Sequence, residues 1–216
     1  MAIQTLIYDF DDTIVRSEDI NTFLIADHFQ EVLGIDLTDE DKEIVYGHGW
    51  TYIFNYMIGK YSLDTTKENV QQGVLVRKKK YLQENNLQLA QGFENMLSLP
   101  VKHLIVSGSS RDEIDMMFEN IGLSTNAFHG IFSIDDYKKS KPEPHGFTMA
   151  LESLDIKADK AIVFEDSRSG ILGANNAGIK AVFVREFANK DYSEMAEHSF
   201  DTFIEVYGWI EPLIAK

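Results

Sequence analysis

Two aspartates stand directly after a short apolar segment near the start of the chain. Residues 3–8 are rich in β-branched and aromatic side chains and predict a buried strand. In an extended backbone, Asp9 and Asp11 point to the same side. Two unit charges ~4 Å apart repel by on the order of 4 kcal/mol at an effective dielectric near 20, so the pair needs a shared cation or a proton. Carboxylate oxygens are ligands that suit Mg²⁺. The alternative is that the aspartates form a solvated acidic turn with no role in metal binding or catalysis.

A hydroxyl group follows a second predicted strand. Ser107 and Gly108 come after the apolar segment 103–106, and a helix begins just behind them. A serine hydroxyl and the backbone N–H groups at a helix start together make an anion site. An ordinary strand-to-helix turn explains the same residues without a ligand.

A lysine and an acidic pair complete the set of residues that could take part in catalysis or metal binding. Lys141 precedes Pro142, which disfavours helical backbone at the lysine and is suited to open the next helix. Glu165 and Asp166 follow the apolar segment 161–164, where they would complete a metal site begun by the first aspartates. Without a functional role, Lys141 would be an exposed lysine beside a proline. The acidic pair would then be an ordinary acidic start of a helix.

The elements that must position these residues change character along the chain. Helical periodicity dominates residues 17–86, whereas strands alternate with helices from residue 91 onward. Predicted strands span 3–8, 103–106, 128–134, 161–164 and 179–184; predicted helices span 17–33, 38–45, 50–58, 65–84, 93–97 and 110–120, one begins at residue 142, and one follows residue 167. Strands separated by helices indicate a parallel sheet, whose carboxyl ends collect functional groups. The sequence therefore predicts an α/β fold with an inserted helical segment.

Composition narrows the function classes. The 216 residues carry a formal net charge of −15, which argues against nucleic acid or an anionic membrane surface as a partner. An anionic substrate would need a local cation to overcome this field. The chain has no cysteine, which removes thiol chemistry and fits a reducing compartment. With no apparent signal peptide or membrane span, we expect a cytoplasmic protein that is a monomer or a weak dimer.

The order of these groups resembles the haloacid dehalogenase (HAD) superfamily. The matching segments are DFDDT at 9–13, SG at 107–108, KPEP at 141–144 and FEDSRSGI at 164–171. The last segment resembles the branch that contains β-phosphoglucomutase and phosphoglycolate phosphatase. That resemblance implies a Rossmann-like catalytic core of residues 1–15 and 88–216, and an all-helical cap of residues 16–87 that sets substrate specificity.

The resemblance also implies phosphoryl transfer through an aspartyl-phosphate. Asp9 would be the nucleophile, and Asp11 would act first as general acid and then as general base. Mg²⁺ would be held by Asp9, the backbone carbonyl of Asp11, and Asp166, with Glu165 in support. The phosphoryl oxygens would be held by three groups: the Ser107 hydroxyl, the N–H of Gly108, and the Lys141 ammonium.

Substrate contacts are expected from the cap. Arg77 interrupts an apolar face of the fourth predicted helix, where the mutase carries a basic residue that reaches substrate, and Lys78 is its nearest rival. His48 lies in a cap loop that often meets substrate in this branch. The alternative for Arg77 is a solvated basic face over residues 77–80.

Several positions depart from the family pattern. Asp12 stands in place of the usual glycine, and Arg16 and His145 stand where acids are usual. Asn21 and Trp50 replace the cap histidine and arginine of the mutase, which argues against mutase activity.

The sequence thus predicts a Mg²⁺-dependent phosphatase that acts on a small phosphorylated metabolite, such as a sugar phosphate or phosphoglycolate. A phosphosugar mutase, a dehalogenase, a receiver-like module and a protein that only binds phosphate esters are the alternatives. A receiver-like module would not need the helical insertion, and Asp11 with the 165–166 acidic pair suits phosphate better than a halide.

Overall fold

The structure is a computed structural model that describes residues 2–47 and 49–214. The chain forms two compact units. We call them the sheet unit, residues 1–16 and 88–216, and the helical unit, residues 17–87. Across the described residues, no helix is both long and apolar enough to cross a membrane.

The described residues form strands and helices in the following chain order. The strands are Thr5–Tyr8 (β1), Lys102–Val106 (β2), Gly130–Phe132 (β3), Ala161–Glu165 (β4), Lys180–Val184 (β5) and His198–Phe200 (β6). The helices are Glu18–Leu33 (α1), Asp39–Gly47 (α2), Trp50–Tyr61 (α3), Lys67–Glu84 (α4), Phe93–Met96 (α5), Arg111–Ile121 (α6), His145–Ser153 (α7), Arg168–Asn176 (α8) and Phe203–Ile210 (α9).

The strands make one parallel sheet in the order β3-β2-β1-β4-β5-β6. Every residue of β1 and β4 is buried, which agrees with the apolar side chains at all their positions except Thr5 and Glu165. The strand order runs outward in both directions from β1, so β1 lies at the switch point between β2 and β4. The carboxyl ends of these three strands are therefore neighbours.

Apolar side chains hold the sheet between two layers. On one face, α7 and α8 contribute Phe147 and Ile171 to a buried cluster that includes Val163. Elsewhere in the core the Tyr8 ring contacts Phe93, with the ring centroids 5.1 Å apart. This burial fixes the strand ends that carry the polar residues of the site.

The helical unit has its own core. Its helices bury Phe29, Phe54, Met57 and Val74, among other side chains. α1 ends at Leu33, and the next residue, Gly34, caps it in the left-handed conformation with φ 66°. The unit thus has the separate apolar cluster expected of an independent insertion.

The structure confirms the predicted α/β fold and corrects some element bounds. The helix predicted to begin at Pro142 begins instead at His145, so that prediction is wrong. A second proline at position 144 disfavours helical backbone at the residue before it, which delays the helix start. The predicted strand 128–134 is only Gly130–Phe132, and β6 and α9 were not predicted.

Candidate active site

Asp9 stands at the end of β1 with its carboxylate turned into a polar cluster. Its backbone N–H donates to the carbonyl oxygen of Phe164 at 2.9 Å, which continues the pairing of β1 with β4. The residue is only 6% exposed, and its Oδ1 accepts a hydrogen bond from the Lys141 Nζ. Burial raises the pKa of Asp9 to about 8; the nearby Glu165 and Asp11 carboxylates add to the rise, and Lys141 opposes it.

Lys141 joins two strand ends. Its Nζ contacts Asp9 Oδ1 and lies 2.6 Å from Glu165 Oε1. Burial by itself would lower the pKa of this lysine, but the two carboxylates outweigh that effect and hold its pKa above the usual value. The ammonium group is therefore charged at neutral pH and ties β1 to β4 through their carboxylates.

Glu165 is the last residue of β4 and is fully buried. Its Oε2 accepts hydrogen bonds from the backbone N–H of Ser167 at 3.1 Å and from the Ser167 hydroxyl at 2.8 Å. The carboxylate lies so close to α8 that a Cβ on Gly170 would be 1.7 Å from Oε1. A glycine is therefore required at position 170 for Glu165 to lie against the amino end of this helix.

Asp9, Glu165 and Asp166 can offer three carboxylate oxygens that all lie within 4.8 Å of one another. Thr13 orients the third of them, since its hydroxyl donates to Asp166 Oδ1 at 2.9 Å. Burial and the neighbouring carboxylates raise the pKa of Asp166 well above its usual value. Three ionised carboxylates against the single ammonium of Lys141 would leave two negative charges, so this oxygen-rich donor set fits a hard divalent cation such as Mg²⁺.

Asp11 faces two serine hydroxyls rather than the ammonium group. Its Oδ2 accepts hydrogen bonds from Ser109 Oγ at 2.7 Å and from Ser107 Oγ at 3.1 Å. Asp11 is partly buried, and its side chain lies outside the set of three clustered carboxylates. The two aspartates of the first motif thus differ in these contacts: Asp9 accepts from the Lys141 ammonium group, and Asp11 accepts from two serine hydroxyls.

Ser107 and Gly108 occupy the end of β2. Ser107 is fully buried; its N–H donates to the Phe132 carbonyl at 2.9 Å, and its carbonyl accepts from the Tyr137 hydroxyl at 2.6 Å. Gly108 is exposed, and a Cβ on it would have no atom within 4 Å. There is accordingly open space beside its Cα.

Asp12 adopts a left-handed backbone conformation, with φ 52°. Glycine adopts this conformation freely, whereas aspartate is among the few other residues that tolerate it. The Asp12 N–H donates to the Val15 carbonyl at 2.8 Å and closes the turn after β1. The replacement of the usual glycine therefore preserves the turn.

The proposed substrate residues of the helical unit have the following positions. Arg77 on α4 binds two carboxylates of α1, with Nε 2.9 Å from Asp27 Oδ2 and Nη2 2.6 Å from Glu31 Oε2. The guanidinium group thus joins two helices of the same unit, and its contact with substrate stays a prediction. Lys78 is buried with its Nζ 5.6 Å from the centroid of the Trp50 ring. His48 lies outside the described residues.

The structure adds residues that the sequence reasoning did not assign. Thr13 and Gly170 lie within the segments that carry the family resemblance, so their positions were visible although their contacts were not. Ser109 belongs to a serine-rich turn with no distinguishing spacing. Tyr137 had no sequence signal, because its hydroxyl reaches a backbone carbonyl 30 residues earlier in the chain.

The fold and the site together define a parallel α/β protein with clustered carboxylates and a lysine at the carboxyl edge of its sheet and a helical insertion after β1. The sequence pattern of the haloacid dehalogenase-like hydrolase family matches residues 6–184. This chain belongs to that family. The match runs from β1 to the end of β5, so it covers the helical unit and every site residue described above.

Similarity to individual proteins is more distant. Protein SUPPRESSOR OF QUENCHING 1, chloroplastic, of Arabidopsis thaliana is 24% identical over 195 residues, which is 85% of this chain but only 18% of that protein. A glyceraldehyde 3-phosphate phosphatase of Pyrococcus furiosus is 25% identical over 226 residues, covering 91% of this chain and 88% of the relative. The crystal structure of CbbY from Rhodobacter sphaeroides in complex with phosphate has a TM-score of 0.82 at 18% identity, covering 94% and 96% of the two chains. At this identity, CbbY shows a shared fold alone.

Proposed function

We propose that this protein is a Mg²⁺-dependent phosphatase that hydrolyses a small phosphorylated metabolite through an aspartyl-phosphate on Asp9. The observation that carries the proposal is the buried contact of Lys141 with Asp9 and Glu165, beside an Asp11 held by hydroxyl groups. The full-length similarity to a relative named as a phosphatase supports the same reaction class.

The first step is phosphoryl transfer to the enzyme. A carboxylate oxygen of Asp9 attacks phosphorus, the bond from phosphorus to the leaving oxygen breaks, and Asp11 gives its proton to that oxygen. Lys141, the Ser107 hydroxyl and the N–H of Gly108 hold the equatorial oxygens, where negative charge is concentrated.

The second step releases inorganic phosphate. Asp11, now ionised, takes a proton from a water molecule as the water oxygen attacks phosphorus. The bond from phosphorus to Asp9 breaks, and the Asp9 carboxylate is restored. The same aspartate thus serves as acid and then as base, so its protonation state at the end equals that at the start.

The charges of the site fit this chemistry. Mg²⁺, held by Asp9, Asp166 and the backbone carbonyl of Asp11 with Glu165 in support, would offset the negative charge of the phosphoryl oxygens. Lys141 adds a positive charge, because its contacts with the Asp9 and Glu165 carboxylates keep its amine protonated. A local cationic centre is necessary because the chain as a whole carries a net charge of −15.

The substrate class follows from the family branch. The proposal favours a sugar phosphate or a compound like phosphoglycolate, with selectivity supplied by the helical unit. Arg77 stays a candidate contact, although its pairing with Asp27 and Glu31 means that substrate binding would compete with those carboxylates. His48 stays the second candidate.

Phosphate release from a panel of sugar phosphates, triose phosphates and phosphoglycolate tests the proposal. Wild type should turn over at least one of these esters in Mg²⁺ and lose that activity when a chelator is added. Asp9→Asn should lose activity by at least about a thousandfold, because the amide is not a nucleophile for phosphorus. Asp159→Asn, at an exposed aspartate of the same unit, should keep wild-type activity.

The outcomes separate the alternatives. Repeated turnover that needs both Mg²⁺ and Asp9 supports a phosphatase, whereas a receiver-like module would react about once per molecule. Conversion of a sugar phosphate to an isomer without net phosphate release would identify a mutase. Retention of hydrolysis in Asp9→Asn would refute the aspartyl-phosphate mechanism.

A further inference from the structure

The carboxylate of Asp11 receives its shorter hydroxyl contact from Ser109. The Ser109 Oγ lies 2.7 Å from Asp11 Oδ2, compared with 3.1 Å for Ser107 Oγ. Ser109 follows Asp11 by 98 residues, so this bond belongs to the tertiary structure and is not part of a local turn. It joins the turn after β2 to the turn after β1.

The backbone of Ser109 is fixed on both sides. Its N–H donates to Ser107 Oγ at 3.0 Å, and its carbonyl oxygen accepts from the N–H of Ile134 at 3.0 Å. The next residue, Ser110, begins α6 with a capping box to Glu113. The Ser109 hydroxyl is therefore presented from a held backbone, which reduces the entropy lost when it binds Asp11.

The hydroxyl proton of Ser107 cannot serve Asp11 and a phosphoryl oxygen at the same time. A serine hydroxyl has one proton, and here that proton is donated to Asp11 while Ser107 Oγ accepts from the Ser109 N–H. The proposed function, on which this inference rests, assigns the Ser107 proton to the substrate. When Ser107 turns to substrate, Ser109 still donates to Asp11 Oδ2.

We infer that Ser109 is a positioning residue that holds the Asp11 carboxyl group in the orientation needed for proton transfer during turnover. Rotation of a carboxyl group about its last torsion is soft, and a fixed donor restricts it. General acid catalysis requires the acid to lie within about 2.6–3.2 Å of the oxygen it protonates, so a small rotation matters. Ser109 acts through Asp11 and has no assigned contact with the reacting atoms.

A misplaced acid affects substrates unequally. A nitrophenolate leaves readily without a proton, whereas the alkoxide of an alkyl phosphate is a poor leaving group and depends on protonation. The parameter kcat/KM covers binding and the first phosphoryl transfer, in which the leaving group departs. Loss of the Ser109 hydroxyl should therefore lower kcat/KM for an alkyl phosphate much more than for an aryl phosphate.

The test compares Ser109→Ala, Ser109→Thr and wild type on p-nitrophenyl phosphate and glycerol phosphate in the same Mg²⁺ buffer. Ser109→Ala should lose about 10- to 100-fold in kcat/KM on glycerol phosphate and less than about threefold on p-nitrophenyl phosphate. Ser109→Thr keeps a hydroxyl donor and should recover both activities to within about threefold of wild type. Ser153→Ala, which removes an exposed hydroxyl at the end of α7, is the control and should match wild type.

Each result is decisive. Equal losses on the two substrates, no loss on either, or no recovery in Ser109→Thr would overturn the role of Ser109 while leaving the proposed phosphatase intact. Failure of wild type to hydrolyse both esters and the metabolite panel would overturn the proposed function itself, and this inference with it. Retained hydrolysis of p-nitrophenyl phosphate by Ser109→Ala shows in the same assay that the variant is folded.

Discussion

Replacing Gly170 by alanine would drive a methyl group into the carboxylate of Glu165. The new Cβ would lie 1.7 Å from Glu165 Oε1 and 1.8 Å from its Cδ. The carboxylate must retreat by roughly 2 Å to reach an ordinary contact, and it is fully buried, so water cannot replace its partners. A retreat of that size breaks its 2.6 Å contact with Lys141 and its hydrogen bonds from Ser167.

The expected cost follows from these contacts. Disruption of a buried ion pair costs about 3–5 kcal/mol, and for a chain of this length each kcal/mol lowers Tm by about 2–4 °C. We therefore expect Gly170→Ala to lower Tm by about 6–20 °C. It should also reduce phosphatase activity, because Lys141 loses one of its two anchors. Urea unfolding in a Trp50→Phe background measures the free energy, since Trp209 on α9 then reports on the sheet unit.

Two controls identify the cause. Gly208→Ala, at a helical glycine of the same unit with no atom within 4 Å of the new Cβ, should stabilise by about 0.5–1 kcal/mol. In a double-mutant cycle, the cost of Gly170→Ala should fall below about 1 kcal/mol when Glu165→Ala is already present. An equal cost in both backgrounds would refute the clash with Glu165 as its origin.

Three further results are expected from urea unfolding. Gly73→Ala places a Cβ 2.2 Å from the Cε1 of buried His28 and should cost about 1–3 kcal/mol. Gly59→Ala, at a glycine of α3 with open space around it, should instead stabilise by about 0.5–1 kcal/mol; equal changes in stability would contradict this. Asp12→Ala should be about 1–2 kcal/mol less stable than Asp12→Gly because of the left-handed backbone, and equal stability would count against strain at that turn. Burial lowers the pKa of His103, so the unfolded chain binds more protons than the folded chain below about pH 6.5. The free energy of unfolding should therefore fall as the pH drops through that range. A His103→Gln variant should show a shallower fall, and an unchanged slope would exclude His103 as its source.

The parallel sheet could be predicted because its determinants are local. β1 and β4 carry apolar runs, residues 6–8 and 161–164, that are followed directly by acidic residues. The helix signals at Gly34 and Ser110 act within one turn. The exceptions have physical reasons. β6 is a three-residue edge strand in a polar stretch, which gives little period-two pattern, and the effect of Pro144 on the start of α7 competes with that of Pro142.

The composition of the site could be predicted, but its internal contacts could not. Asp9 and Ser107 were identified because they follow predicted strands, and Lys141 because it precedes Pro142. The bond from Ser109 to Asp11 spans 98 residues, and the pairing of Arg77 with Asp27 spans 50. Such contacts depend on how two elements face each other, which periodicity within one element does not encode.

The surroundings of the two aspartates in the first motif suit the two roles proposed for them. A nucleophile must carry its negative charge in a buried site. Burial raises the pKa of Asp9, and the ammonium group of Lys141 opposes that rise. A residue that is acid in one step and base in the next must exist in both protonation states, and the neutral hydroxyls beside Asp11 can donate to a carboxylate or accept from a carboxylic acid. A hydroxyl in place of the Lys141 ammonium group would leave the buried charge of Asp9 with less stabilisation.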